Sequence, residues 1–409
     1  MIGSMLTAKS GRIHTTEVFL NQSTEIAEQL LATAFADSDG HLTWGRGFGA
    51  DRQAVQDAGI FSGRIGEAVF LAALARETAR PDLRDAAVSC CARLLSVVRL
   101  SGVRQTLVDE LSLGAQGLGG AICGLVRVGQ FLGEEEMLAA AVQLAMGLSR
   151  QRLESDQKLD VFWGMGGLLP SLIALYRSGA QEVLGLAVAC GDLLVERRVV
   201  DGGTGVRAWR TLGDRPWGGY AHGSCGIAAG LLQLFACTGD AKYATAAFEA
   251  FEFERLIQRD DGVWPDYVGQ EITTSGWCHG APGIALSRLV AIENVSESLL
   301  PEEILGDLDS SLSSTIASPL RMSYTVCCGT AGRAAVLYRA ANVLSNDSLR
   351  AHANHILHFS IDRINAVGIG SQVASEPHLA KGFWQGLAGV GYTLLRASNS
   401  TRFPCILSL

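Results

Sequence analysis

With 409 residues, 48% of them apolar and only 18% charged, the chain exceeds one ordinary domain of about 100–200 residues and is too apolar for a disordered or fibrous protein. A net charge of −8 without any block of like charges argues against nucleic acid and anionic membrane surfaces as partners. Mean hydropathy is +0.22, yet the longest stretch free of Asp, Glu, Lys and Arg, 216–239, contains Pro216, His222, Ser224, Gln233 and six glycines, so no segment supplies the roughly 20 apolar residues of a spanning helix.

The N-terminus has no apolar run between a basic start and a small-residue cleavage site, so a secretory signal is not expected and a cytoplasmic address follows. In that setting the ten cysteines favour buried thiols or metal ligation over disulfides. The first predicted helix covers Thr24 to Ala36. From there a motif recurs: a glycine pair three residues apart opens a small-residue, apolar run. The pairs are Gly63 and Gly66, Gly117 and Gly120, Gly164 and Gly167, Gly223 and Gly226, Gly280 and Gly283, Gly329 and Gly332, and Gly386 and Gly389. Their first members are spaced by 54, 47, 59, 57, 49 and 57 residues, a period that signals a repeat architecture rather than separate domains.

Between the pairs lie segments with apolar residues at i, i+3, i+4 and i+7, as in Leu83–Val98, Glu135–Leu148, Val183–Val195, Lys242–Leu256 and Leu349–Ile364. These predict amphipathic outer helices, while the glycine-led runs, apolar almost all round, predict buried inner ones. The glycines need only a structural role, close approach of backbones at the start of each inner helix. Neither terminal repeat has the polar face of a solenoid cap. The expected fold is therefore all-α, a closed double (α/α)7 toroid with inner and outer rings of seven helices.

Counting from each repeat's first glycine, the reactive side chains share a phase. Cys278 and Cys327 stand at −2, His279, Cys328 and His222 at −1, and Asp160 at −4. Equivalent positions in a toroid lie at the same end, so these groups are expected on one rim. Three thiols there suit Zn²⁺, with a fourth tetrahedral position left for water or substrate, although the 49-residue spacing of Cys278 and Cys327 is no finger-type pattern. Cys90 and Cys91 read as core residues, and His14, His41, His352, His355 and His358 as structural. His222 could serve as acid or base; Asp160 either caps the helix that follows or orients His222.

At these residues the sequence resembles the lanthionine synthetase C-like family, the cyclases of lanthipeptide biosynthesis. The motifs are D-x-x-x-G at Asp160–Gly164, A-H-G at Ala221–Gly223, W-C-H-G-A-P-G at Trp277–Gly283 and C-C-G at Cys327–Gly329, and the resemblance runs from Ser62 to Leu409. The end, GLAGVGYTLLR followed by FPCILSL, is most similar to the cyclase portion of bifunctional class II synthetases. The resemblance implies a domain over 61–409, joined with an N-terminal segment 1–60 that carries the first outer helix, the two together forming one domain.

It also implies a zinc site at Cys278, Cys327 and, by position, Cys328. The family's commoner pattern has C-H-G where this chain has C-C-G, which places it with a three-cysteine subgroup. A third thiolate would make zinc a weaker Lewis acid and leave a substrate thiolate more nucleophilic. The family's proton-transfer residues carry over to His222 and Asp160, and His279 could contact the substrate or its enolate oxygen. The implied substrate is a dehydrated precursor peptide whose cysteines add to dehydroalanine or dehydrobutyrine, giving lanthionine or methyllanthionine rings. Only about 60 residues precede the first repeat, against a long dehydratase region in class II synthetases; the start at Met1 favours a stand-alone cyclase with a separate dehydratase over an excised domain. The competing readings are a non-catalytic peptide-binding scaffold and an enzyme that adds glutathione to dehydroamino acids.

Overall fold

The computed structural model describes residues 2–37, 40–44, 58–61, 63–267, 269–270, 275–320, 323–367 and 381–409, with side chains from Thr15 onward. Sixteen α-helices dominate the described residues, with four two-residue strands in two hairpins. Seven helices begin one residue after the first glycine of a pair: α2 (Arg64–Thr78), α5 (Leu118–Leu132), α8 (Met165–Arg177), α10 (Ser224–Thr238), α12 (Ala281–Asn294), α14 (Thr330–Val343) and α16 (Leu387–Ser398). They are buried along nearly their whole length. Each packs on the next, and α16 packs back on α2, which closes the ring.

The outer ring is α1 (Ile2–Ala32), α3 (Pro81–Arg99), α6 (Glu135–Met146), α9 (Leu184–Glu196), α11 (Ala241–Ile257), α13 (Glu303–Ala317) and α15 (Asp347–Val367). The expected double toroid is the observed fold. Six outer helices cover the inner helix that precedes them in sequence. The seventh, α1, instead covers α16 from the far end of the chain, where Ser23 Oγ donates to the Gly391 carbonyl at 2.9 Å.

Two local differences from the sequence expectation have plain causes. The first helix runs Ile2–Ala32 rather than Thr24–Ala36. It stops because Asp37 accepts the His41 N–H at 2.8 Å and Gly40 adopts φ +81°, a turn that pairs β1 (Phe35–Ala36) with β2 (Leu42–Thr43). Two short helices, α4 (Ser101–Glu110) and α7 (Arg150–Glu154), extend connections that carried no clear period.

The second glycine of each pair is where the incoming loop crosses its own helix. A Cβ at Gly389 would stand 1.7 Å from the Phe383 carbonyl oxygen, and one at Gly226 would stand 1.9 Å from that of Tyr220. Only glycine lets the backbone six residues upstream rest on the first helical turn. That crossing forces the residues at −2 and −1 over the rim of the inner ring in every repeat.

A belt of hydrogen bonds then ties these rim loops together. Ala115 N donates to Val161 O at 2.9 Å, Phe162 N to Ala221 O at 3.1 Å, Ala221 N to Cys278 O at 3.1 Å, Trp277 N to Cys327 O at 3.0 Å, Cys327 N to Trp384 O at 2.8 Å and Trp384 N to Phe61 O at 3.2 Å. The donors and acceptors are nearly all −2 residues, so sequence phase becomes spatial level. Among the described residues, no single helix is long and apolar enough to cross a membrane.

Candidate metal centre and proton-transfer site

Cys278, Cys327 and Cys328 meet on this rim. Cys278 Sγ lies 3.3 Å from Cys328 Sγ, Cys328 Sγ lies 3.3 Å from Cys327 Sγ, and all three sulfurs fall within 4.8 Å of one another without a disulfide. Around a tetrahedral Zn²⁺ with Zn–S of about 2.3 Å, sulfurs stand about 3.8 Å apart, so the donor set fits that ion. Cys278 and Cys327 are buried and Cys328 is exposed, which leaves the cluster open on one side.

Their protonation is shared. Hydrogen bonds with Cys278 and Cys327 pull the Cys328 thiol down to about 3, and the nearby imidazoles of His279 and His222 act in the same direction. Cys327 is pushed well above the ordinary thiol value because its hydrogen bonds with Cys278 and Cys328 favour its protonated form. Because a thiol must lose its proton to ligate a metal, a dication held by these sulfurs would release protons on binding.

Beside the sulfurs, His222 Nδ1 lies 2.8 Å from Asp160 Oδ2. Asp160 has no exposed surface. Its other oxygen accepts the backbone N–H groups of Trp163 at 2.7 Å and Gly164 at 2.9 Å. Asp160 thus bonds His222 as one of its two readings requires, while the other is corrected: it does not cap α8, whose N-cap is Gly164, but closes the loop before it. His222 is walled by Phe162 and Trp163, ring centroids 5.3 and 5.0 Å away.

His279 is held in the same manner, with Nδ1 2.7 Å from Asp266 Oδ1. The rings of His222 and His279 stack at 5.4 Å and 29°. Two imidazoles are thus each bound through Nδ1 to a carboxylate, and both lie near enough to Cys328 to act on its charge. Asp266 is further fixed by Gln270, whose Nε2 donates to Oδ2 at 3.0 Å. The sequence reading missed Asp266 because it stands 14 residues before Gly280, outside the repeat phase. Phe162 and Trp163 were missed too, although their positions at −2 and −1 of their repeat carried the signal that could have found them.

The floor of the site comes from the chain's last residues. Trp277, next to Cys278, donates its indole N–H to the Leu407 carbonyl at 3.1 Å and lies on Trp384, 4.1 Å between ring centroids. The remaining histidines lie elsewhere: His358 packs on Phe19 of α1, and the side chain of His14 falls outside the described residues.

A family model described as lanthionine synthetase C-like protein matches residues 54–408. The chain belongs to the lanthionine synthetase C-like family. Among solved structures it is similar to nisin cyclase, with a TM-score of 0.68 at 15% identity over 86% of this chain and 91% of that one. An unsaturated glucuronyl hydrolase from Bacillus sp. GL1 superposes with a TM-score of 0.48 at 19% identity, over 71% of this chain and 88% of the other. At such identities the first likeness shows the helical toroid alone.

Proposed function

We propose that this protein is a zinc-dependent lanthipeptide cyclase of the three-cysteine kind, similar to the cyclase part of class II synthetases. Its substrate is a ribosomally made precursor whose serines and threonines a separate dehydratase has already converted to dehydroalanine and dehydrobutyrine. The observation that carries this reading is the juxtaposition, on one rim, of a three-sulfur donor set and an imidazole held by a fully buried carboxylate. Cys278, Cys327 and Cys328 would hold Zn²⁺, which when bound supplies the positive charge that keeps an incoming cysteine thiol deprotonated near neutral pH.

This chain's own residues handle the proton. Asp160 occupies His222 Nδ1, so Nε2 is the nitrogen left to give or take a proton. As sulfur bonds to the β-carbon, the alkene's π pair moves toward the α-carbon and its neighbouring carbonyl, and His222 Nε2–H protonates the α-carbon. The net change is addition of S–H across C=C, with no oxidant or reductant. His279, steadied by Asp266, hydrogen-bonds the carbonyl oxygen that gathers charge. The Phe162 and Trp163 rings keep bulk water from His222.

Elemental analysis together with a peptide assay tests this. The purified protein should hold about one zinc per chain, lost in Cys278→Ala and Cys327→Ala. It should also convert a dehydrated, cysteine-bearing peptide to a product of unchanged mass that no longer reacts with a thiol alkylator. Zinc-free wild type of native circular dichroism, or thiols that disappear no faster than without protein, would overturn the reading. A glutathione adduct in place of a ring would reassign the chain to intermolecular thiol addition.

A further inference from the structure

The mouth opposite the sulfur cluster contains a cavity of about 700 Å³, and its chemistry runs against the rest of the molecule. The chain carries −8 overall, yet six arginines, Arg76, Arg127, Arg177, Arg339, Arg396 and Arg402, line this one cavity with two carboxylates, the side chain of Glu293 and the terminal carboxylate of Leu409. Their positions follow from the repeat. Arg127, Arg339 and Arg396 each stand ten residues after the first glycine of their pair, and the equivalent residues Ala174 and Gln233 line the same cavity. Position +10 therefore faces the lumen near the C-terminal ends of the inner helices, about 16 Å along the helix from the rim residues at −1. Arg76 and Arg177, at +13, form the next level out.

Internal pairing leaves much of this charge unanswered. Arg339 bonds Glu293, and Arg402 pairs with Glu77 at 2.8 Å. Arg127 reaches a terminal carboxylate oxygen of Leu409 at 3.3 Å beside the Gln130 side chain, while the other three make hydrogen bonds only to neutral groups: Arg76 to the Gln130 carbonyl, Arg177 to Asn294 Oδ1, and Arg396 to the Phe403 and Ala335 carbonyls. Arg127 Nε is buried with no partner. Arginines in a helix's last turn gain from its dipole, which accounts for Arg76, Arg177 and Arg396 singly. It does not account for Arg127 and Arg339, nor for the convergence of all six on one cavity, where like charges repel.

We infer that this cavity binds a small polyvalent anion, a phosphorylated metabolite or a polycarboxylate, that bridges Arg127, Arg339 and Arg396. Guanidinium groups match the oxygens of both classes through paired, charge-assisted hydrogen bonds. The volume lies in the range of about 300–1,000 Å³ usual for small-molecule sites, which favours a metabolite over a protein partner. This site is independent of the sulfur rim and stands or falls separately from the cyclase reading.

Calorimetric titration of the full chain with inorganic pyrophosphate and, separately, citrate tests the inference at low ionic strength. At least one should bind once per chain, more weakly as salt rises. Arg127→Gln and Arg339→Gln together should weaken binding at least about tenfold, with zinc content unchanged, whereas Arg150→Gln on the outer surface should not. Tighter binding of pyrophosphate would assign the phosphorylated class, and tighter binding of citrate the polycarboxylate. A crystal soaked in tungstate gives a readout that needs no variant, with anomalous density expected between Arg127 and Arg339. Absence of binding by both anions, an equal loss in Arg150→Gln, or tungstate found only elsewhere would overturn it.

Discussion

Asp160 uses both of its oxygens, one on His222 and one on two backbone N–H groups of its own loop. Asp160→Asn separates these duties. The amide oxygen can still accept from Trp163 and Gly164, while its NH₂ group faces His222 Nδ1 and removes the negative charge that stabilises the imidazolium from which Nε2 gives its proton. We expect near-wild-type melting with cyclisation slowed about 10²- to 10⁴-fold. Asp160→Ala should lose stability as well, because two buried N–H groups go unpaired at about 1–3 kcal/mol each. Equal melting temperatures for the two variants would contradict this division.

At the scale of the element, the glycine motif and the buttress beneath the His222 loop each make a prediction. Gly389→Ala must displace a carbonyl oxygen 1.7 Å from the new methyl and should cost about 2–3 kcal/mol or more. Gly185→Ala, on the exposed side of α9 with nothing within 4 Å, should stabilise by about 0.5–1 kcal/mol. Urea melts of the pair check both signs.

Glu254 of α11 has no exposed surface and accepts the N–H groups of Gly219 at 3.0 Å and Cys225 at 3.1 Å, one on each side of His222 in the chain. Burial pushes its carboxyl up from 4.5 to about 8; the Arg288 guanidinium and these two N–H groups oppose the rise and Asp266 adds to it. A raised carboxyl contributes its full stability below pH 4.5 and loses it as pH climbs through about 8. Glu254→Gln should therefore flatten the decline of stability across that window. A parallel decline in wild type and variant would refute the assignment.

For the whole molecule, the decisive contact joins the two ends of the chain. Helix α1 buries Phe19, Ile26, Ala27 and Leu30 while completing the outer ring over α16, and fully buried large side chains contribute about 1.5–3 kcal/mol each. We propose that residues 1–60 and 61–409 form one cooperative domain. Deleting residues 1–36 then removes an amount comparable with a typical net stability of about 5–15 kcal/mol, and should leave a chain that aggregates or lacks a cooperative melt. A native-like melt after deletion would show that the N-terminal segment is a separate unit.

The repeat period, the two helix faces and the shared phase of cysteine, histidine and aspartate are local properties of the chain. They determined the seven-fold toroid, the rim and the membership of the sulfur cluster, because equal phase in equal repeats means equal height in the ring. The pairing of α1 with α16, the Asp266 that holds His279, the Leu407 carbonyl under Trp277 and the arginine cavity were decided by closure of the ring. Each joins residues that share no phase or lie far apart in sequence, and one-dimensional periodicity carries no information about which distant segment fills a given space.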